Sequence, residues 1–305
     1  MGRKDIADRL YFSDCRRFAE LMNAVLYHGE NVLLPENLSL IRRKYPSLSS
    51  ASGERERDIL MEDISQNICY GMEIENESDY SMPERVVSYD ISDYEYQIRE
   101  IDKGHRERKD YRCYRERKSR MKEDDILLPT VTVVLYLGEG HWKGRRRLTQ
   151  MFRLSARSGK LLGNYLFDYD FPLLEADYVD PKDYKTDLKE FFQAIQCRGN
   201  KVKLRELFRT EAFRHLGPET EQVIARHLHI ERLAHKMEKE GLSMCKAFDD
   251  LADELLQEGK TAGLKEGRRE EKIRIIRQMI KEGLDEAFIH RMTRCTAEEF
   301  STAKR

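Results

Sequence analysis

The sequence contains no long hydrophobic run and no closely paired cysteines. Its longest apolar stretch, Val131 to Leu137 with one Thr, is far shorter than the ~20 residues that span a bilayer, and no apolar leader is present. The six cysteines are scattered without CxxC spacing, which argues against a thiolate zinc site and a secreted disulfide framework. These absences predict a cytoplasmic protein that does not enter a membrane.

The chain also lacks an excess of positive or negative charge. The chain has 55 Lys and Arg against 56 Asp and Glu, for a net charge of -1, although 36% of its residues are charged. The overall charge therefore does not support nucleic-acid binding, and only local basic patches could provide it. A length of 305 residues is enough for one sizeable domain and a smaller one.

The clearest chemical pattern is a group of carboxylates on predicted strands. Ile68 to Glu75 alternates, so Glu73 and Glu75 fall on one face. If Arg57 to Met61 pairs with this strand as a hairpin, Asp58 comes close to Glu73. Such clustered carboxylates favour a hard divalent cation. The alternative is that the Glu face is the solvated side of an antiparallel strand.

The short sequence segments around these acids resemble those of a known family. The segments YGME (70–73), DYSMPER (79–85) and YDISDY (89–94) resemble the Rpn family, which comprises recombination-promoting nucleases or transposase-like proteins of the PD-(D/E)XK nuclease superfamily. The resemblance implies an α/β fold with a restriction-endonuclease-like core, a mixed sheet flanked by helices, and an all-α C-terminal region. It also implies a DNA endonuclease that uses Mg²⁺, for which Mn²⁺ can substitute.

The same resemblance assigns roles to the acids. Asp58 and Glu73 are the expected Mg²⁺ ligands. The third motif position is usually Lys, and in this family often Gln, but here it is Glu75. Because a carboxylate cannot supply a cation to the transition state, Glu75 is expected to act as a third ligand or to orient the attacking water.

Other candidate residues lie on two predicted helices. Glu20 lies on a helix expected over Arg3 to Tyr27, and is either a further metal ligand, as in many relatives, or a surface residue. Arg85 and Gln97 lie on a helix expected over Glu84 to Ile101 and are candidates for phosphate contact. For Arg85 the alternative is a surface salt bridge with a neighbouring acid on the same helix.

Lys103 to Lys122 is the most basic stretch, with ten Lys and Arg against three acids and interleaved tyrosines. This composition suits backbone contacts and stacking on DNA, for which Arg112 and Arg115 are the phosphate candidates. The alternative interpretation is a solvated helical insertion.

The resemblance extends along most of the chain. Ile126 to Gly138 is predicted as a buried strand followed by a Trp-x-Gly signature at Trp142, and Lys185 to Phe192 matches the end of the nuclease domain. Trp142 is expected to fix its loop by packing. We therefore expect a nuclease-like domain over residues 1–200 with a basic insert at 103–122.

Residues 201–305 are expected to be helical, with a homodimer or a helix-turn-helix as alternatives for the tail. In this tail Ile273, Ile276 and Ile280 form one apolar stripe, and Thr296-x-x-Glu299 predicts a capping box that opens the last helix. The histidines at 227, 229 and 235 are interpreted as surface residues.

Three functions follow. The first is a metal-dependent DNA endonuclease that hydrolyses phosphodiester bonds, in recombination or transposition. The second is a catalytically weakened DNA-binding or transposition accessory protein that lost activity with Glu75. The third is an oligomeric interaction protein that uses the helical tail. Position 75 separates the first two, and DNA binding separates the third.

Overall fold

The chain folds into two compact units, residues 1–234 and 235–305. A computed structural model describes residues 3–46, 54–228, 237, 239 and 241–304. The histidines at 229 and 235, for which a surface position is predicted, lie outside the described residues. Residues 201–227, which the sequence places with the C-terminal region, fall within the first unit.

The first unit combines helices with short strands. Its helices are α1 Arg3–Phe12, α2 Cys15–Leu26, α3 Met82–Arg108, α4 Tyr114–Ser119, α5 Ala156–Leu162, α6 Leu188–Gln196, α7 Lys201–Phe208, α8 Glu211–Arg214 and α9 Pro218–His227. Its strands are β1 Leu38–Leu40, β2 Lys44–Pro46, β3 Glu54–Glu56, β4 Ile59–Asp63, β5 Ile68–Glu75, β6 Thr130–Tyr136 and β7 Leu173–Glu175. Short 3-10 turns occur at Pro35–Asn37, Leu148–Met151, Gly163–Tyr165 and Pro181–Asp183.

The central sheet is mixed and has the strand order β1-β4-β5-β6-β7. The pairs β1–β4 and β4–β5 are antiparallel, whereas β5–β6 and β6–β7 are parallel. The strands β2 and β3 form a separate antiparallel pair. The predicted α/β class, with a mixed sheet and flanking helices, is confirmed at this level.

The N-terminal helix predicted over Arg3 to Tyr27 is two helices. Asp14 separates them, because its carboxylate accepts hydrogen bonds from the backbone N–H groups of Arg16 and Arg17 and so begins α2 as an N-cap. Asp14 therefore opens a second helix, and α1, which precedes it, supplies Arg9 to Asp58 beside the start of β4.

The helix α3 links β5 to the basic stretch. It begins with Pro83 in its first turn and ends where Lys109 adopts a left-handed conformation with φ 56°. It is longer than the predicted Glu84 to Ile101 and carries the first residues of the basic stretch. Its N-terminal half packs on the sheet through Met82 and Val86, which form a core with Val134 and Phe171.

Trp142 joins this core. Its ring makes edge-to-face contacts with Tyr136 and Phe171, at centroid distances of 5.3 and 6.3 Å. The prediction that Trp142 fixes its loop by packing is confirmed. The parallel pair β5–β6 and the loops that follow it are therefore held at a defined edge of the sheet.

A second core lies where α1, α6 and α9 meet. The rings of Tyr11, Phe12 and Phe191 pack in edge-to-face and tilted pairs at centroid distances of 5.0 to 5.4 Å, and all three are buried. His227 belongs to this core: it is 1% exposed, and its Nε2 lies 2.8 Å from Asp8 Oδ1. The surface position predicted for His227 is wrong, because the Asp8 carboxylate satisfies the imidazole inside the core.

The second unit is helical, as predicted. It contains α10 Met244–Lys281, α11 Glu286–Thr293 and α12 Ala297–Lys304. The predicted stripe of Ile273, Ile276 and Ile280 packs here with Ile289 and Phe300. In the part of the chain that the structure describes, no helix, α10 included, has an apolar stretch long enough to cross a bilayer.

The last helix opens with the capping box predicted from Thr296-x-x-Glu299. The Thr296 N–H donates to Glu299 Oε2 at 2.8 Å, and the Glu299 N–H donates to Thr296 Oγ1 at 3.2 Å. This reciprocal pair satisfies two backbone donors at the start of α12.

Candidate active site

The β4–β5 hairpin brings the predicted acids together. Ile59 pairs with Met72, so Asp58, one residue before β4, lies opposite Glu73. The Asp58 backbone N–H approaches Glu73 Oε1 at 3.4 Å. The turn closes with Asn67 in a left-handed conformation at φ 56°, which Asn tolerates well. The predicted hairpin and the proximity of Asp58 to Glu73 are confirmed.

Asp58 is held from two sides. The guanidinium of Arg9, on α1, donates to Asp58 Oδ1 at 2.8 Å from Nε and lies 2.6 Å away through Nη2. The backbone N–H of Ile74 donates to Asp58 Oδ2 at 2.9 Å. Both carboxylate oxygens therefore have a donor, and the carboxylate is fixed against the end of β5.

Arg85, on the first turn of α3, binds the acids of β5. Its Nη2 donates to Glu73 Oε2 at 2.5 Å, and its Nη1 lies 2.7 Å from Glu75 Oε1. A weaker contact of 3.4 Å joins Nη1 to Asp79. The acidic partners are thus on β5 and the following loop, and not on α3 as the salt-bridge alternative expected. One guanidinium bridges the two carboxylates that the sequence grouped on one strand face.

Glu73 has an unusual protonation equilibrium. It is 1% exposed, so the expected solvated strand face does not apply to it. Burial and the neighbouring Asp58 charge raise the pKa of Glu73 to about 7, against the opposing effect of Arg85 and Arg57. Glu73 therefore exchanges a proton near neutrality, as suits a ligand or acid-base group.

The pKa values of the two other acids that contact Arg85 shift in opposite directions. Burial raises the pKa of Glu75 above its usual value, although Arg85 counteracts it. For Asp79 burial acts in the same upward direction, but hydrogen bonds from Ser81 and the charge of Arg85 outweigh it and lower the pKa. Asp79 is therefore the ionised anchor for Arg85, and the β5 acids are the groups that titrate.

A buried ion pair, Arg57 with Asp90, supports the candidate site. The Arg57 guanidinium donates to Asp90 at 2.8 Å and to Thr132 Oγ1 at 2.8 Å, and Thr132 donates to Asp90 at 2.6 Å. Gly71 makes room for this pair, because a Cβ at this position would lie 2.0 Å from Arg57 Nη1. The network fixes the segment that leads into Asp58.

A cleft of about 440 Å³ opens beside these carboxylates. Its lining combines acids and arginines: Asp8, Arg9, Asp58, Ile74, Glu75, Asn76, Glu77 and Arg85. The oxygen donors are the kind that Mg²⁺ prefers, so the donor set fits a hard divalent cation in its chemistry. As the described side chains stand, no three His, Cys, Asp or Glu are grouped closely enough to hold an ion. The acids are instead paired with Arg9 and Arg85, so an incoming cation has to replace Arg85 on Glu73.

Two other predicted residues have partners elsewhere. Glu20 accepts hydrogen bonds from the backbone N–H groups of Lys185 and Thr186 and from the Thr186 hydroxyl. Its carboxylate thereby holds the segment before α6. Gln97 is buried and bonds to both backbone groups of Leu128, accepting from its N–H at 2.7 Å and donating to its carbonyl at 3.0 Å. These contacts give Gln97 a role in fixing the approach to β6.

The two arginine candidates of the basic insert are exposed. Arg115 lies on α4, and Arg112 lies just before it with an ion pair of 3.2 Å to Asp124. The insert folds around His105, whose ring nitrogens lie 2.8 Å from Asp110 and 2.9 Å from Asp125. The predicted helical character is present, but acids from both sides of the insert hold part of it together.

Sequence reasoning missed Arg9 and Asp79 as members of the site. Both become relevant only through tertiary contacts, Arg9 with Asp58 and Asp79 with Arg85. Asp79 lies within the DYSMPER segment quoted above, which was the available signal. No protein-family model, curated protein or solved structure matches this chain, so the family remains an expectation based on the quoted motifs.

Proposed function

We propose that this chain is a metal-dependent DNA endonuclease of the PD-(D/E)XK type, similar to the Rpn family, that hydrolyses phosphodiester bonds in recombination or transposition. The observation that carries the proposal is the position of Glu73. It is a buried carboxylate with a pKa of about 7, opposite Asp58 and bound by Arg85. Asp58 and Arg85 line the open cleft, and Glu73 lies behind them. A buried acid poised near neutrality beside a cleft is typical of a functional site.

Asp58 and Glu73 would hold the cation. When bound, Mg²⁺ or Mn²⁺ supplies an activated water and polarises a phosphate oxygen. Arg9 and the Ile74 N–H keep the Asp58 carboxylate oriented. Glu73 has to lose its proton before it can act as a ligand, so binding is favoured above neutrality.

Arg85 gives this site the positive charge that position 75 lacks. Its guanidinium lies on Glu73 and Glu75, in the cleft that a phosphate would enter. Released from Glu73 by a cation, it is a bidentate donor suited to a phosphate oxygen. Glu75 then keeps one contact with Arg85 or orients the water.

The test is incubation of the purified chain with supercoiled plasmid and Mg²⁺. We expect nicked or linear product from the wild type and none from Asp58→Ala. Asp14→Ala, which removes a helix cap away from the cleft, is the control for a general effect of losing a carboxylate. Equal cleavage by the wild type and Asp58→Ala would assign any activity to a contaminant.

The second candidate is a DNA-binding or transposition accessory protein without cleavage. The observation that favours it is that Arg85 forms ion pairs with both Glu73 and Glu75. If this pairing persists in the presence of excess Mg²⁺ and Mn²⁺, the plasmid stays intact while DNA binding remains. The same experiment, read together with a binding assay, separates the two functions.

A further inference from the structure

A second basic stretch, residues 140–167, follows β6, and we call it the basic loop. It contains seven Lys and Arg (Lys143, Arg145, Arg146, Arg147, Arg153, Arg157 and Lys160) and no acid. It also contains the aromatic residues Phe152, Tyr165 and Phe167. By contrast, the insert at 103–122 contains three acids of its own.

Residues 147 and 148 of the basic loop pair with residues 168–170, which directly follow it, and we call this pairing the neck. Arg147 forms an isolated antiparallel bridge with Asp170, and the Leu148 N–H donates to the Tyr169 carbonyl at 3.0 Å. The Arg147 side chain also binds Asp168 at 2.9 Å. This neck anchors the intervening residues, which include α5, to the body of the first unit.

The first residues of the basic loop, which precede the neck, contact the candidate site. The Lys143 N–H donates to Ser78 Oγ at 2.9 Å, and Arg145 donates to the Tyr80 carbonyl at 3.3 Å. In the sequence, Asp79 lies between Ser78 and Tyr80, and its carboxylate contacts Arg85. Since β5 and β6 are parallel, the loops that follow them emerge at the same edge of the sheet. The basic loop therefore begins beside the acids of β5.

Several apolar and cationic side chains in the outer part of the basic loop face solvent. Phe152, Tyr165 and Phe167 are 43%, 85% and 62% exposed. Arg153 and Arg157 are exposed as well, and within the described residues neither they nor Lys160 form an ion pair. Two of the seven loop cations, Arg146 and Arg147, are paired with Asp170 and Asp168 at the base of the loop. In the insert, four cations are paired with acids: Arg106, Arg108, Arg112 and Lys122. The outer part of the basic loop thus offers cations that are not committed to internal partners.

We propose that the basic loop binds single-stranded DNA and leads it to the cleft. The charge of the loop complements a phosphate backbone, and exposed rings next to unpaired cations are the combination that stacks on unpaired bases. In a duplex the base faces are covered, so rings of this kind have nothing to stack on. The proposal rests on the proposed function for its choice of DNA, and it adds the strand state of the substrate.

The test is fluorescence anisotropy with a labelled single strand and with the matching duplex. EDTA is present throughout, so that binding is measured without cleavage. One variant combines Arg153→Gln, Arg157→Gln and Lys160→Gln. Its matched control removes the same charge from exposed positions on α7 and α8, outside both basic stretches, with Lys201→Gln, Lys203→Gln and Arg214→Gln. We expect the loop variant to reduce the slope of log K against log salt by about 2, at ~0.7 per lost contact, and the control to reduce it less.

The aromatic contribution is tested with a second matched pair. Tyr165→Ala removes a ring that is 85% exposed in the loop, and Tyr114→Ala removes one that is 77% exposed in the insert. We expect Tyr165→Ala to weaken single-strand binding about fivefold or more, with little change for the duplex. Because the proposal places base stacking on the loop and not on the insert, Tyr114→Ala should weaken single-strand binding less than Tyr165→Ala does. Because both rings are exposed, neither substitution removes core packing, and circular dichroism checks that each variant is folded.

Three results would overturn the inference. The first is an unchanged salt slope in the loop variant, and the second is an equal effect of Tyr165→Ala on single strand and duplex. The third is binding to phosphatidylserine vesicles with none to oligonucleotides, which would make the loop a membrane-surface element. If the loop binds single strands but plasmid and oligonucleotides stay intact with Mg²⁺, the inference stands and the proposed nuclease function fails.

Discussion

Replacing Glu73 with Gln should change the pH dependence of stability in a defined direction. In the folded chain the pKa of Glu73 is about 7, and its ordinary value is 4.5. The folded state therefore prefers the protonated acid. Its stabilising effect is complete below pH 4.5 and is lost as the pH rises through 7. At 1.36 kcal/mol per pH unit, ionising Glu73 inside the fold costs about 3 kcal/mol at pH 8.

Glu73→Gln cannot ionise and retains an oxygen that can accept from Arg85. Its stability relative to the wild type should therefore rise by about 2.5 kcal/mol between pH 5 and pH 8, because a small part of the effect is already lost at pH 5. Groups that do not interact with Glu73 titrate equally in both proteins and cancel in the difference. Since Glu73 is 1% exposed, solvent screening reduces this value little.

Urea unfolding followed by tryptophan fluorescence measures this difference. Trp142 is the sole tryptophan, and it packs in the core of the first unit, so its signal reports on the unit that contains Glu73. Glu84→Gln, at an exposed position near the start of α3, is the control and should give a flat difference. A flat difference for Glu73→Gln as well would refute the argument, because it would mean that Glu73 is ionised in the fold without a desolvation cost.

Three further predictions concern the same hairpin. Calorimetric titration should detect Mg²⁺ or Mn²⁺ binding that strengthens above neutrality and disappears in Asp58→Ala, and unchanged binding by that variant would contradict the metal assignment. Glu75→Gln, which restores the residue common in the resembled family, should keep or raise plasmid cleavage, whereas Glu73→Gln should abolish it; equal loss in both would make Glu75 an essential ligand. Gly71→Ala should destabilise the first unit by about 1–3 kcal/mol, because its Cβ would meet the Arg57 guanidinium, and a wild-type urea midpoint would show that Arg57 can move aside.

Several features were predictable from local sequence. The alternation over Ile68 to Glu75 identified the strand, the spacing of Asp58 before it identified the hairpin, and Thr296-x-x-Glu299 identified a helix start. Each depends on residues close together in the chain, where periodicity and capping chemistry act directly. The buried strand at 130–136 was also visible, because β-branched residues dominate it.

Local sequence was therefore enough to predict the individual elements, the grouping of acids on one strand and the composition of the basic stretches. Which charges meet depends on the tertiary fold. Arg9 reaches Asp58 across 49 positions, and His227 finds Asp8 across 219. It also decided that Glu73 is buried, since burial depends on what covers a strand face and alternation cannot report that. For the same reason the pKa of Glu73, set by desolvation and by Asp58, follows from packing and not from spacing.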